Sequence, residues 1–197
     1  MPAEPEIIEL PNTPFMAAVI ALLEQIDATI PESFTGTVTA FVTGGVAVHA
    51  YTASRTSRDL GAKFEPPLLL RQEPVVRYID ADKEEYLRLD RSFFAGIGLV
   101  HPDWEDSAKR AGKYGRIEVR IMAPVDLAVS KVSRFEDNDR ADIRALASLG
   151  LVEAGAFERR CLEAIDYYVG EPTFVRHNIA EAVDLVRSCS PPISSTP

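Results

Sequence analysis

The sequence predicts an α+β fold, a mixed β-sheet flanked by helices and followed by a helical C-terminal part. Three observations predict it. Apolar residues recur at helical spacing over 15–26, β-rich runs bounded by polar turns occupy 37–121, and from Pro124 onward the apolar pattern is helical alone. These limits divide the 197 residues into an extended lead-in over 1–12, an α/β core over 13–123, a helical part over 124–188 and a flexible tail over 189–197.

Residues 1–11 are acidic and contain prolines, which favours extended chain. Thr13-Pro14 marks a helix start, with the hydroxyl as cap and proline at the first helical position. Phe15, Met16, Val19, Ile20, Leu23 and Ile26 then share one helical face until Pro31 closes the segment. A β-rich run at 37–42 is interrupted by Thr43-Gly44-Gly45, and 46–51 reads as one or two helical turns opened by the glycines. After a polar loop at 52–58, residues 59–64 read as a second strand. Residues 75–79 and 86–90 pair across a polar turn at 80–85. The polar stretch 101–111 shows no dominant period, whereas 116–121 alternates cleanly, with Ile117, Val119 and Ile121 opposite Arg116, Glu118 and Arg120.

Beyond that strand, Pro124 starts a helix carrying Leu127, Val132 and Phe135. Asp139 is the expected cap of the next, which runs through Ile143 and Leu146 to a stop at Gly150. Residues 153–169 and 172–188 follow as amphipathic helices, and the uncharged Ser- and Pro-rich end is expected to be disordered.

Composition narrows the function. With 21 Lys+Arg against 30 Asp+Glu the net charge is −9, which argues against extended DNA binding or a general grip on anionic lipid. Two cysteines make neither a disulfide framework nor a four-thiolate zinc site. The start carries no basic segment before an apolar run, and no apolar run is long enough to span a bilayer, so a cytoplasmic location is expected.

The informative window is 41–64. A strand running into Gly44-Gly45 and then a helix permits a sharp turn, close approach of a ligand to backbone, and N–H groups aimed at an anion. Read alone, the pair is a tight turn. Downstream, Arg55 and Arg58 stand just before Asp59, and a strand-borne carboxylate beside a phosphate cradle suits Mg²⁺-assisted phosphoryl transfer.

Gly44-Gly45, a gap of thirteen residues, and Asp59-Leu60 together resemble the nucleotidyltransferase signature, a Gly-Gly or Gly-Ser turn followed by an Asp-x-Asp strand. Arg55-Thr56-Ser57-Arg58-Asp59 resembles the lead-in of the minimal nucleotidyltransferases allied to the AbiEii-type toxins, a DUF6036-like group usually filed as uncharacterised. A second stretch, Pro124-Val-Asp-Leu through Lys131 and Arg134 to Asp139 and Asp142-Ile143, resembles a later segment of the same group.

The resemblance implies transfer of a nucleoside monophosphate from an NTP to an RNA (tRNA included) or protein acceptor. It also implies a toxin of a toxin–antitoxin pair with a cognate antitoxin as partner. By the same resemblance, Gly44, Gly45, Arg55, Ser57 and Arg58 hold the nucleotide, and Asp59 and Glu118 bind Mg²⁺. Lys131 reaches the phosphates, supported by Asp139 or Asp142. The residue-level alternatives stay open: Glu118 as partner of Arg116 and Arg120, Lys131 at a helix C-terminus, and the aspartates as caps.

Position 61 departs from the pattern. The group's second strand carboxylate is replaced by Gly61, which has no side chain to ligate a metal. The chain is then a pseudoenzyme that binds a nucleotide or a protein partner, a deliberately disarmed enzyme, or an enzyme compensated by Glu118, Glu65 or Asp103. Lys63, next on that face, would set an ammonium against phosphate but cannot ligate a metal. A plain interaction module using helices 153–188 is the third reading.

His49, His101 and His177 lack metal-ligand spacing, and a satisfied structural histidine explains His49. His101-Pro-Asp-Trp104 looks like a recurrent loop of the group. Gly96-Ile-Gly98 lacks the third glycine of a dinucleotide fingerprint, and an EF-hand over Asp137-Asn-Asp139 fails at Ala141 and Ser148.

Overall fold

The computed structural model describes residues 7–70, 72–90 and 98–189. The expectations for the first six residues, for the end of the chain from 190 and for Gly96 lie outside the described residues. The described residues divide into two compact units: residues up to Asp90 with Glu105–Ala123, and residues 98–104 with those from Pro124 onward.

The first unit opens with helix α1, Pro14–Asp27. Extended Thr13 caps it, its Oγ1 accepting from the Met16 N–H at 3.1 Å. Phe15, Met16, Val19, Leu22, Leu23 and Ile26 are buried on its inner face. Strand β1 (Val38–Val42) leads into α2 (Gly44–Thr52), then β2 (Asp59–Leu60), β3 (Ala62–Glu65), β4 (Val75–Asp80), β5 (Lys83–Leu89), β6 (Lys109–Tyr114) and β7 (Ile117–Ile121).

The strands form two mixed sheets. One has the order β3-β1-β7-β6, with β1 and β7 parallel and the outer pairs antiparallel. The other has the order β2-β5-β4, with β2 parallel to β5 and β4 antiparallel to it. In the first sheet Val38, Ala40, Val42, Ile117, Val119 and Ile121 turn one face inward and are buried. α1 packs against β4, with the Phe15 and Tyr78 rings 5.9 Å apart.

In the second unit, α3 (Pro124–Ser130), α4 (Asp137–Ser148), α5 (Ala154–Ile165) and α6 (Pro172–Cys189) pack as α3 on α4 and α5, and α6 on α4 and α5. Cys161, Phe157, Ile143 and Leu146 are fully buried there. No described helix is long and apolar enough to cross a membrane.

Several elements differ from the sequence reading. Residues 59–64 are not one strand: the chain leaves one sheet after Leu60 and joins the other at Ala62, so Gly61 falls between two ladders. β6 was not predicted, because Lys109–Tyr114 is polar and half-exposed at a sheet edge, with only Ala111 buried. The hairpin loop shrinks to Ala81-Asp82, whose φ values of 47° and 63° are those of a two-residue turn matching strand twist. α3 stops at Ser130, and Val132 and Phe135 are buried beyond it, Phe135 at φ 53°. That left-handed residue sets Glu136, not Asp139, at the cap of α4, and Asp139 closes the capping box from the third helical position. α5 ends at Ile165 rather than near 169.

Candidate functional site

β1 delivers the chain to the turn at Thr43, which is extended and makes no side-chain capping bond to α2. Gly44 stands at φ +63°, a conformation that costs a residue with a Cβ, and the space its Cβ would take is open to 4 Å. Gly45 is required for a different reason. A Cβ there would lie 2.9 Å from Ser57 Cβ and 3.0 Å from Arg55 Nη2, so the arginine loop packs directly on the helix start. The Thr43 N–H donates to Gly61 O at 2.9 Å, bringing the passage between the two sheets to the same turn.

Two local devices hold the loop. The Ser57 hydroxyl donates to the Asp59 carbonyl at 3.0 Å, fixing the entry into β2. Buried His49 braces Arg55: its Nδ1 lies 2.6 Å from Arg55 O, its Nε2 2.8 Å from Thr13 Oγ1. Since a carbonyl only accepts, Nδ1 carries the hydrogen, and in the neutral ring Nε2 accepts from the Thr13 hydroxyl. His49 is thus a fully bonded structural side chain, with Phe15 edge-on at 4.7 Å.

Asp59 does not stand alone. Arg88 is directly opposite it in the parallel β2–β5 register, and Arg88 Nε donates to Asp59 Oδ1 at 2.7 Å. Ladder bonds from Arg88 N to Arg58 O (3.1 Å) and from Asp90 N to Leu60 O (3.0 Å) flank the pair. The same register carried one residue on sets Asp90 against Gly61. The Asp59 carboxylate, followed by the charges of Glu73 and Asp90, pushes the Arg88 pKa above its ordinary value. Nothing in the motif reading pointed to Arg88 or Asp90, because only the pairing of distant strands brings them here.

The remaining residues of the first unit are engaged elsewhere. Lys63 Nζ donates to both oxygens of Glu105 at 2.7 Å and lies 5.8 Å from the Phe41 ring centre. Glu118 stands beside Thr39 on β1, in the row that holds Glu65 on the other side, three residues back from Val42. It accepts from Arg120 Nε at 3.0 Å and pairs with Arg110 at 3.5 Å. The structure therefore brings Arg55 and Ser57 to Gly45 and the Asp59 backbone carbonyl to Ser57, leaves Arg58 exposed in the same loop, and sets Glu118 and Glu65 in another row. Among the described residues no three His, Cys, Asp or Glu side chains group to hold a metal ion. The donor set does not fit the two-metal carboxylate cage that the resemblance implies.

In the second unit, Lys131 is buried between two buried carboxylates, 2.9 Å from Asp142 Oδ2 and 3.7 Å from Asp139 Oδ1. Arg134 grips Asp139 through both oxygens at 2.7 and 2.8 Å. Burial opposes ionisation of Asp139, but the Arg134 bonds and the Lys131 charge outweigh it and hold its carboxyl below the ordinary range. Arg134 also pairs with exposed Glu136 at 3.7 Å, so two cations stand among three carboxylates. The His101-Pro-Asp-Trp104 loop also gains a role: Asp103 accepts from Arg160 at 2.5 Å and pairs with His101 Nδ1 at 2.5 Å, while Arg160 bonds Asp126 at 2.6 Å. These contacts tie the loop to α3 and α5. His177 pairs with Glu181 on exposed α6.

With the fold and turn geometry in view, the chain is a nucleotidyltransferase-like α+β protein. The profile of the family described as a nucleotidyltransferase of unknown function (DUF6036) matches residues 23–181, and the chain belongs to that family. No curated protein and no solved structure matches it.

Proposed function

We propose that the protein binds a nucleoside triphosphate at the turn between β1 and α2. The backbone N–H groups of Gly44 and Gly45 take phosphate oxygens at the positive end of the α2 dipole, and Arg55 and Arg58 neutralise the polyphosphate. Ser57 and His49 act at one remove, holding the loop that carries the arginines. The single observation that carries this reading is the packing of Arg55 and Ser57 against Gly45, which leaves no room for a side chain there.

Of transfer, which the family description suggests, and nucleotide binding without transfer, which Gly61 suggests, the second has the better support. Transfer in the implied mechanism requires carboxylates to share Mg²⁺ at one place. Here Asp59 is bonded to Arg88, residue 61 is glycine, and Glu118 is committed to two arginines. Under the transfer reading Glu118 would leave those arginines to join Asp59, and Lys131 would leave Asp139 and Asp142 for phosphate. The AbiEii-type toxin role, with an antitoxin partner and an RNA or protein acceptor, rests on the sequence resemblance. Growth arrest on expression, relieved by a neighbouring gene product, tests it.

The deciding experiment pairs equilibrium binding of the four labelled NTPs with a label-transfer assay in Mg²⁺, using total RNA and the protein itself as acceptors. Binding without incorporation is the expected result. Incorporation into either acceptor overturns the pseudoenzyme reading, and the absence of binding overturns the site.

A further inference from the structure

The position beside Asp59 in this chain belongs to a cation that is part of the protein. Arg88 reaches Asp59 from the neighbouring strand, directly in register, with its Nε 2.7 Å from the carboxylate. Just past the end of β5, the Asp90 N–H donates to Leu60 O at 3.0 Å, where the chain leaves β2 for Gly61. The guanidinium thus stands against the strand-borne carboxylate, two residues before the glycine at position 61.

We infer that Arg88 takes the place of a divalent cation at this site, and that the ligand is the metal-free nucleoside triphosphate. This rests on the nucleotide-binding reading above. A magnesium ion arriving at Asp59 has to displace a charge-assisted hydrogen bond and finds no second carboxylate on β2. A metal-free triphosphate, more negative than its magnesium complex by the charge of the ion, gains more from Arg55 at the turn and from Arg88 on β5 than that complex does. The planar fork of Arg88 can hold the carboxylate with one edge and a phosphate oxygen with another, as a metal bridging protein and nucleotide would. The side chain of Arg88 is 61% exposed, so it is within reach of a ligand and its removal leaves the core intact.

The test measures ATP, GTP, CTP and UTP binding to the intact chain by calorimetry, once in EDTA and once in excess Mg²⁺. The wild type, Arg88→Ala and Arg88→Lys are compared, with thermal melts to verify folding. The wild type is expected to bind in EDTA at least as tightly as in Mg²⁺. Arg88→Ala is expected to lose about tenfold or more of the EDTA affinity, the size of one charge-assisted hydrogen bond, and Arg88→Lys to retain part of it. Binding that needs Mg²⁺ and is indifferent to Arg88 overturns this inference and leaves the nucleotide site standing. Absence of binding in both buffers removes the nucleotide site and this inference with it.

Discussion

Asp59 and Arg88 face each other across two parallel strands, 29 residues apart in sequence and 2.7 Å apart between carboxylate oxygen and guanidinium nitrogen. That pairing gives the strand-borne acid a fixed counter-ion and changes what substitutions nearby should do.

Restoring the family acid is the first case. Gly61 is not among the described glycines with positive φ, so a side chain meets no left-handed strain there. Gly61→Asp in an Arg88→Ala background should raise Mg²⁺-dependent NTP affinity or create measurable transfer, whereas Gly61→Asp alone should do so less. Calorimetry in Mg²⁺ reads both, and equal behaviour of the two variants would show that Arg88 does not guard the position.

The two glycines of the turn should fail differently. Gly45→Ala sets a methyl 2.9 Å from Ser57 Cβ and should cost about 1–3 kcal/mol while displacing the Arg55 loop. Gly44→Ala meets no neighbour but stands at φ +63°, so about 1–2 kcal/mol of backbone strain is expected with the loop undisturbed. Urea titration gives the stabilities, and NTP binding corrected for folded fraction should fall more for Gly45→Ala.

Lys131→Met removes the ammonium from a buried cluster and strands Asp142 and part of Asp139. A loss of about 3–5 kcal/mol is expected, as for breaking one side of a buried pair. The cluster also sets an acid limit. Because the Asp139 carboxyl titrates lower in the folded protein than in the unfolded chain, its stabilisation is complete above the ordinary Asp pKa of about 3.9 and is lost as pH falls through the lower folded value. Denaturant midpoints collected from pH 5 downward should drop, and Arg134→Ala should flatten the drop.

The cysteines offer a structural check. Burial pushes the Cys161 thiol far above its ordinary pKa inside the helical unit, while Cys189 is half-buried at the end of α6. A thiol reagent near neutral pH should label Cys189 readily and Cys161 only on unfolding. Fast labelling of both in the native protein would contradict the packing of α5.

Local chemistry made much of the fold readable. Thr13-Pro14 encodes its own cap, the alternation at 117–121 its own strand, and Gly44-Gly45 the turn that follows β1. What could not be read depends on partners distant in sequence. β6 owes its strand state to pairing with β7, since Lys109–Tyr114 has too few apolar residues to announce a face. The two-residue β2 exists because β5 pairs with it, so neither the break at Gly61 nor the approach of Arg88 has a local signal. At the helical unit the sequence reading sets the cap at Asp139, and the structure moves it to Glu136, directly after the left-handed residue Phe135.

Thr13 has two bonding duties, receiving the Met16 amide and engaging His49, which in turn holds the Arg55 carbonyl. The opening turn of α1 is therefore wired to the loop that faces the proposed ligand. Amide resonances of Met16 and ring resonances of His49 become natural reporters of occupancy, and a magnetic-resonance titration could follow ligand arrival without a label on the nucleotide or a change to any residue that touches it.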